Sequence, residues 1–263
     1  MSFTHVGPRG RVGILSAAAE PHPGLLAGAA ITSVVFTFGY PILRKGLLPS
    51  GVLASWFLGT AVLSAFGAGG FTLVCFYFVA GTAVTKLKLA QKQTEGIAEA
   101  RSGQRGPGSV LGSGIAGLAC ALLALQTGNY ALLQTGFVAS FCSKLSDTVS
   151  SEVGKAYGKT TYLITSLKLV ARGTEGAVSL EGSLAGVAAA AAFGSIAYAV
   201  GQVDARGVAA VTIASVVANV AESYVGATLQ GKVEWITNDV VNMAQITLAA
   251  ALAIAIQASY MST

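Results

Sequence analysis

GVLASWFLGTAVLSAFG (residues 51–67) is followed, after one alanine, by GGFTLVCFYFVAGTAVT (69–85), and no charged side chain interrupts either run. A helix crosses the hydrocarbon of a bilayer in about 20 apolar residues. The double run is therefore too long for one crossing and reads as two short ones, each open to being a tilted partner or a half-span. Working outward, similar blocks occur at 24–43, 109–126, from 130 to 142 and somewhat beyond, 182–201, 207–229 and 240–260, which makes eight candidate spans. Only 10% of the residues are charged and 53% are hydrophobic, against about 25% charged in a soluble domain. The 33 glycines suit helices that pack closely in lipid. The expected fold is all-α, a polytopic transmembrane bundle of about seven or eight spans. Residues 24–263 form one membrane domain, and residues 1–23 read equally as a disordered tail or a transit-peptide remnant.

Charge placement tests this count independently. With alternating crossings, thirteen of the sixteen Lys and Arg residues fall on one side, leaving only Arg9, Arg11 and Arg206 on the other. That asymmetry makes the basic side cytoplasmic, or stromal in a plastid. The two long connections, 86–108 and 144–181, lie on the same side, and long loops in a compact domain tend to carry function. The net charge of +5 is explained by this topology and by contact with anionic lipid, and no nucleic-acid motif is present.

The available chemistry is restricted. Both histidines, His5 and His22, precede the first apolar block, so the membrane domain has no imidazole for a nucleophile triad or a zinc site. Cys75, Cys120 and Cys142 are isolated in apolar blocks, which reads as packing rather than a disulfide framework. Carboxylate, amide, hydroxyl, Lys and Arg remain, and hard oxygen ligands of this kind suit magnesium.

Four segments concentrate those groups. TEGIAEARSGQRGPGS (94–109) places Glu95 and Glu99 one helical turn apart, then sets Arg105 among glycines. It reads as a solvated helix with a linker or as a loop whose amides and Arg105 hold phosphate. SKLSDTVSSEVGKAYGKTTYL (143–163) runs from an apolar span straight into Asp147 and Glu152. Acids there are costly unless paired or metal-bound, and Asp147 with Ser151 at i, i+4 offers oxygens on one face. Gly154, Gly158, Lys159 and Thr160 miss the P-loop spacing by one residue and follow no strand, so Lys155 and Lys159 are either phosphate contacts or membrane-surface anchors. ARGTEGAVSLEGSLAG (171–186) carries Arg172, Glu175 and Glu181, and its Gly182 and Gly186 form a small-xxx-small packing motif. Finally Asn219 and Glu222 at i, i+3, and Asn238 and Asn242 at i, i+4 with Asp239 between them, make each pair project from one stripe of an apolar helix. Asp147, Glu152, Glu222 and Asp239 approaching one surface would repel one another without a cation between them, which a phosphate-bridging divalent ion supplies.

KLKLAQKQTEGIAEARSGQRG, SDTVSSEVGKAYGKTTYL, RGTEGAVSLEGSLAG, AESYVGATLQGK and NDVVNMAQIT, in that order, resemble the family of small integral membrane proteins that includes the phytyl-phosphate kinases of tocopherol (vitamin E) biosynthesis. The resemblance spans roughly residues 25–260. It implies transfer of a phosphoryl group from CTP or ATP to phytyl phosphate or a related isoprenoid phosphate, giving phytyl diphosphate, in a plastid or cyanobacterial membrane. It marks as the family's polar positions Lys86, Glu99 and Arg105; Asp147, Ser151 and Glu152; Gly173, Thr174, Glu175 and Ser179; and Glu222, Asn238, Asp239 and Asn242. The chain departs from the family pattern where it reads VLGSG after the first motif and at Ala244 and Gln245.

The expected site therefore has Asp147, Glu152, Glu222 and Asp239 as catalytic acids, which with Ser151 hold Mg2+. Lys86, Glu99, Arg105, Lys155, Lys159, Arg172, Gly173, Thr174, Glu175, Ser179, Asn238 and Asn242 line the nucleotide and phosphates. The rival class is a transporter or flippase for a phosphorylated lipid, whose signature would be broken helices with charges at the bilayer midplane.

Overall fold

The computed structural model describes residues 23–99 and 103–261; the tail proposed for residues 1–23 lies outside them, Pro23 excepted. The fold is nearly all helical: α1 (Gly24–Leu43), α2 (Pro49–Thr85), the short α3 (Leu89–Thr94), α4 (Pro107–Thr127), α5 (Tyr130–Tyr157), α6 (Leu180–Ala199), α7 (Ala205–Thr228) and α8 (Asn238–Met261), with a two-residue antiparallel ribbon of β1 (Tyr162–Leu163) and β2 (Ala177–Val178) between α5 and α6. Six of the helices are long and apolar enough to cross a membrane.

The helix count conceals a hairpin. α2 is 37 residues long, about 55 Å if straight and nearly twice a bilayer core. At Gly67 the backbone takes φ 65°, ψ −164°, a region open essentially to glycine alone, and the chain doubles back. Arg105 proves the reversal: its carbonyl accepts from Leu48 N at 3.0 Å at the start of the first arm, and its guanidinium lies against Gly81 near the end of the second. At the other end, Gln202 in the α6–α7 turn donates to Phe66 O at 3.1 Å beside Gly67. The two apolar runs read from sequence are two antiparallel arms. With α5 as a further long segment, eight rods run side by side.

α5 is the axial element. Residues Thr135 to Ser146 are all buried, because α5 packs against both arms of α2 and against α4, α6, α7 and α8. Phe137 stacks on Phe66 with ring centroids 4.8 Å apart and meets Phe141 edge-on, which in turn meets Tyr77. On α6, a Cβ at Gly182 would stand 2.5 Å from Ser150 O and one at Gly186 would stand 3.1 Å from Ser146 O, so the small-xxx-small motif is the α5–α6 contact itself. The opposite, lipid-facing surfaces stay apolar and uncovered, as at Leu26 and Phe38. Cys142 and Cys120 are buried, whereas Cys75 faces outward rather than into the packing.

Ion pairs and hydrogen bonds join 88–99 to 152–172, and Arg105 joins the starts of α2 and α4. Both long connections, the α1–α2 turn and the α7–α8 turn thus share one end of the bundle. Among the described residues, Arg206 is the one basic residue placed at the other end, where it lies over the Tyr260 ring.

Candidate functional site

The site begins inside the basic end of the bundle. Lys144 Nζ lies 2.6 Å from Asp147 Oδ2 and 2.8 Å from Asn242 Oδ1, tying α5 to the first turns of α8. Glu222 on α7 and Glu175 in the loop before β2 are within electrostatic reach of Asp147. Glu222 stands six residues before the end of α7, about 9 Å along the axis. The centre is recessed below the rim, not spread on it. Beneath it Asn219, Ser143, Ser146 and Gln245 form a buried polar network, so Gln245 supplies an amide where the family pattern was expected to have asparagine.

A second layer lies at the surface. Lys155 Nζ is 3.2 Å from Glu99 and 3.5 Å from Glu152, and Arg172 is 2.8 Å from Glu95 while also donating to Lys155 O at 3.3 Å. Gly173 and Gly176 have φ 82° and 72°; Gly176 lets the loop press onto α7, where a Cβ would stand 2.6 Å from Ser223 O. Burial pushes the Glu175 carboxyl above the usual carboxylate range; Lys155 opposes the rise, and the negative charges of Glu99 and Asp147 add to it. Glu175 and Asn238 border one cleft of about 340 Å³ with Lys232 and Thr237. Thr174 Oγ1 donates to Ala171 O at 2.8 Å, making a turn, and Ser179 caps α6 by accepting from Gly182 N at 3.1 Å. Lys159 N donates to Glu181 at 3.3 Å, which occupies the amide a P-loop would turn to phosphate.

The five oxygen donors expected to hold magnesium are not gathered. Among the described residues, no three acidic, histidine or cysteine side chains are close enough together to hold a metal. Glu152 follows Asp147 by five residues, about 140° around α5, and points the other way. There it pairs with Lys92 on α3, each side chain only 1% exposed. Glu152 is thus engaged in anchoring α3, and Lys92, which the sequence reading passed over, is its partner. Ser151 Oγ donates to Thr148 O at 3.2 Å, back into its own helix. Asp239 turns toward α4, where a Cβ on Gly108 would lie 3.0 Å from its Oδ2, near the electropositive start of that helix. Asp147 and Glu222 are the acids that remain together.

Sequence reasoning also missed Lys144, whose position in an apolar run was its signal, and Tyr77, which gave none. Lys86 and Lys159 are exposed at loop edges.

A family model described as integral membrane protein DUF92 matches residues 31–250. The Arabidopsis thaliana protein named VTE6, chloroplastic, is 49% identical over 241 residues, covering 89% of this chain and 72% of that protein. A Synechocystis membrane protein named as uncharacterized is 49% identical over 218 residues, 82% of this chain and 84% of its own. A third, from Methanocaldococcus jannaschii and likewise named as uncharacterized, is 31% identical over 182 residues, 69% of this chain and 74% of its own. No solved structure matches.

Proposed function

The chain belongs to the integral membrane protein family DUF92, and on that premise we propose that it is a lipid-phosphate kinase that converts phytyl phosphate to phytyl diphosphate for tocopherol synthesis in a plastid or cyanobacterial membrane. The kinase assignment comes from the five ordered motifs and is supported by the 49% identity to the chloroplastic Arabidopsis relative. The single structural observation that supports it is the convergence of those motifs at one end of the bundle, around the Lys144–Asp147–Asn242 centre. The active face is accordingly the basic one, stromal or cytoplasmic.

An oxygen of the acceptor monophosphate, already ionised near neutral pH, attacks the γ-phosphorus of CTP or ATP. The new P–O bond forms as the bond to the β-phosphate oxygen breaks, and the nucleoside diphosphate leaves with that electron pair. No proton need be removed, so the absence of histidine from the membrane domain costs nothing. Positioning and charge neutralisation then supply the catalysis. Lys144, held by Asp147 and Asn242, directs a cation to the transfer point, and Lys86, Lys159 and Arg105 contribute further positive charge near the phosphates. The side chains fit magnesium that arrives as the nucleotide's counter-ion, since that ion needs only one or two carboxylates beside phosphate and water. Asp147 and Glu222 would face it.

Purified protein in lipid nanodiscs, incubated with phytyl phosphate, magnesium and each nucleotide, should yield phytyl diphosphate by mass spectrometry. Movement of phytyl phosphate between leaflets of proteoliposomes with no diphosphate formed would instead assign the chain to the flippase class.

A further inference from the structure

Apart from the polar centre, the bundle holds an apolar cavity of about 250 Å³ between α1 and the two arms of α2. Leu47, Leu58 and Phe141 form its buried floor, whereas Val35, Cys75 and Val79 at its edge are exposed toward lipid. Its walls run from Phe71 to Val79 along the second arm, about 12 Å, and it ends at Arg105.

That end is cationic. Arg105 threads between the arms, its amide donating to Gly46 O at 2.9 Å and its carbonyl accepting from Leu48 N. A Cβ at Gly51 would stand 2.4 Å from Arg105 O, and one at Gly81 would stand 3.0 Å from Nη2, so both glycines leave room for it. The guanidinium lies 5.2 Å from the Tyr77 ring centroid and has no hydrogen-bond or ion-pair partner among the described residues. The Tyr77 hydroxyl, on a side chain 5% exposed, is likewise unpartnered, and Lys144 is within electrostatic range of it. A half-buried guanidinium resting on an aromatic face and a buried hydroxyl without a protein partner, together at the head of an apolar slot, suit a phosphate group.

We propose that this slot is the binding site for the isoprenoid monophosphate, with the tail between α1 and the arms of α2 and the phosphate on Arg105 and the Tyr77 hydroxyl, facing Lys144. The assignment rests on the kinase reading and makes Arg105 a contact of the acceptor, not of the nucleotide. Tails longer than the slot leave through the lipid-facing opening between Val35 and Val79. The anion is bound at its head by a planar fork suited to phosphate, so the corresponding alcohol binds far less well.

A geranylgeranyl monophosphate carrying a diazirine on its second isoprene unit from the phosphate tests this in nanodiscs. Irradiation should label residues 35–43 and 71–79; phytyl phosphate should compete about tenfold or more better than phytol, and Arg105→Gln should reduce labelling to a similar extent. Should that variant misfold, Gly39→Leu carries the test. A Cβ at Gly39 meets nothing within 4 Å and the residue lines the slot, so leucine plugs the slot while favouring the helix. It should weaken labelling by the 20-carbon probe far more than by a five-carbon one. Label recovered on α6 or α7, phytol competing as well as its phosphate, or a plug without effect would overturn the proposal. Labelled slot residues without diphosphate formation would reject the kinase and leave the slot intact; diphosphate formed with labelling elsewhere would do the reverse.

Discussion

Lys144 and Asp147, one turn apart on the axial helix, form an ion pair of 2.6 Å whose side chains are only 10% and 17% exposed, and Asn242 holds the same ammonium from α8. Removing one member of a buried pair strands the other's charge, at a cost of about 3–5 kcal/mol. Asp147→Asn should lower the denaturation midpoint in detergent and reduce diphosphate formation about a hundredfold or more. The double replacement Lys144→Met/Asp147→Leu should recover much of the stability and none of the turnover. Recovery of both would make the pair structural.

Glu152 gives the opposite expectation. Its buried pairing with Lys92 lies on the far side of α5 from Asp147, so Lys92→Met/Glu152→Leu should regain most of the stability that Glu152→Gln alone loses, and turnover should return with it. Activity that stays absent in a stable double variant would return Glu152 to the catalytic group.

Gly67 is the hinge of the α2 hairpin. A Cβ there meets nothing within 4 Å, so Gly67→Ala is opposed by backbone conformation alone and should destabilise by about 1–3 kcal/mol, and Gly67→Asn should fare no better, because ψ −164° lies outside the left-handed helical region that asparagine tolerates. Thermal unfolding of the three proteins compares them directly; equal midpoints would mean that the arms are not joined through a conformation reserved for glycine.

Glu175 offers a pH signature. Its folded carboxyl titrates above the unfolded value, chiefly through burial, so its ionised form opposes folding. That contribution is absent below the unfolded pKa of about 4.3, and stability falls as pH rises from there through the folded value. Glu175→Gln should flatten this slope and raise stability at neutral pH. A variant with the wild-type slope would locate the dependence elsewhere.

The 2.8 Å contact of Glu95 with Arg172 places the two long connections on one side of the membrane. Cysteines introduced at both positions, in a background lacking the three native ones, should react with an impermeant thiol reagent from the same face and be joined by a short cross-linker. Reaction from opposite faces would leave no shared centre for the proposed chemistry.

Much of this was legible in the chain. Apolar blocks show where backbone must be internally hydrogen-bonded, so every predicted span has its segment, including the two that α2 joins through Gly67. The basic asymmetry assigned the loops to one end, and the motif order carried the family. Helical period was less informative about the acids: it put Asp147 and Ser151 on one face, yet Ser151 donates back to Thr148 O, and only the packing of α3 shows that Glu152 is matched by a lysine sixty residues away. The slot was invisible because Tyr77 and Leu58 look like any other apolar span residues.

The sequence by itself determined the solvent, the crossings and the chemistry available, since hydropathy and residue type act over one helix length. Which acids meet, which cation is left without a partner and where a lipid tail can enter were decided by tertiary structure, because they depend on helices far apart in the chain arriving at the same depth with particular faces turned toward one another.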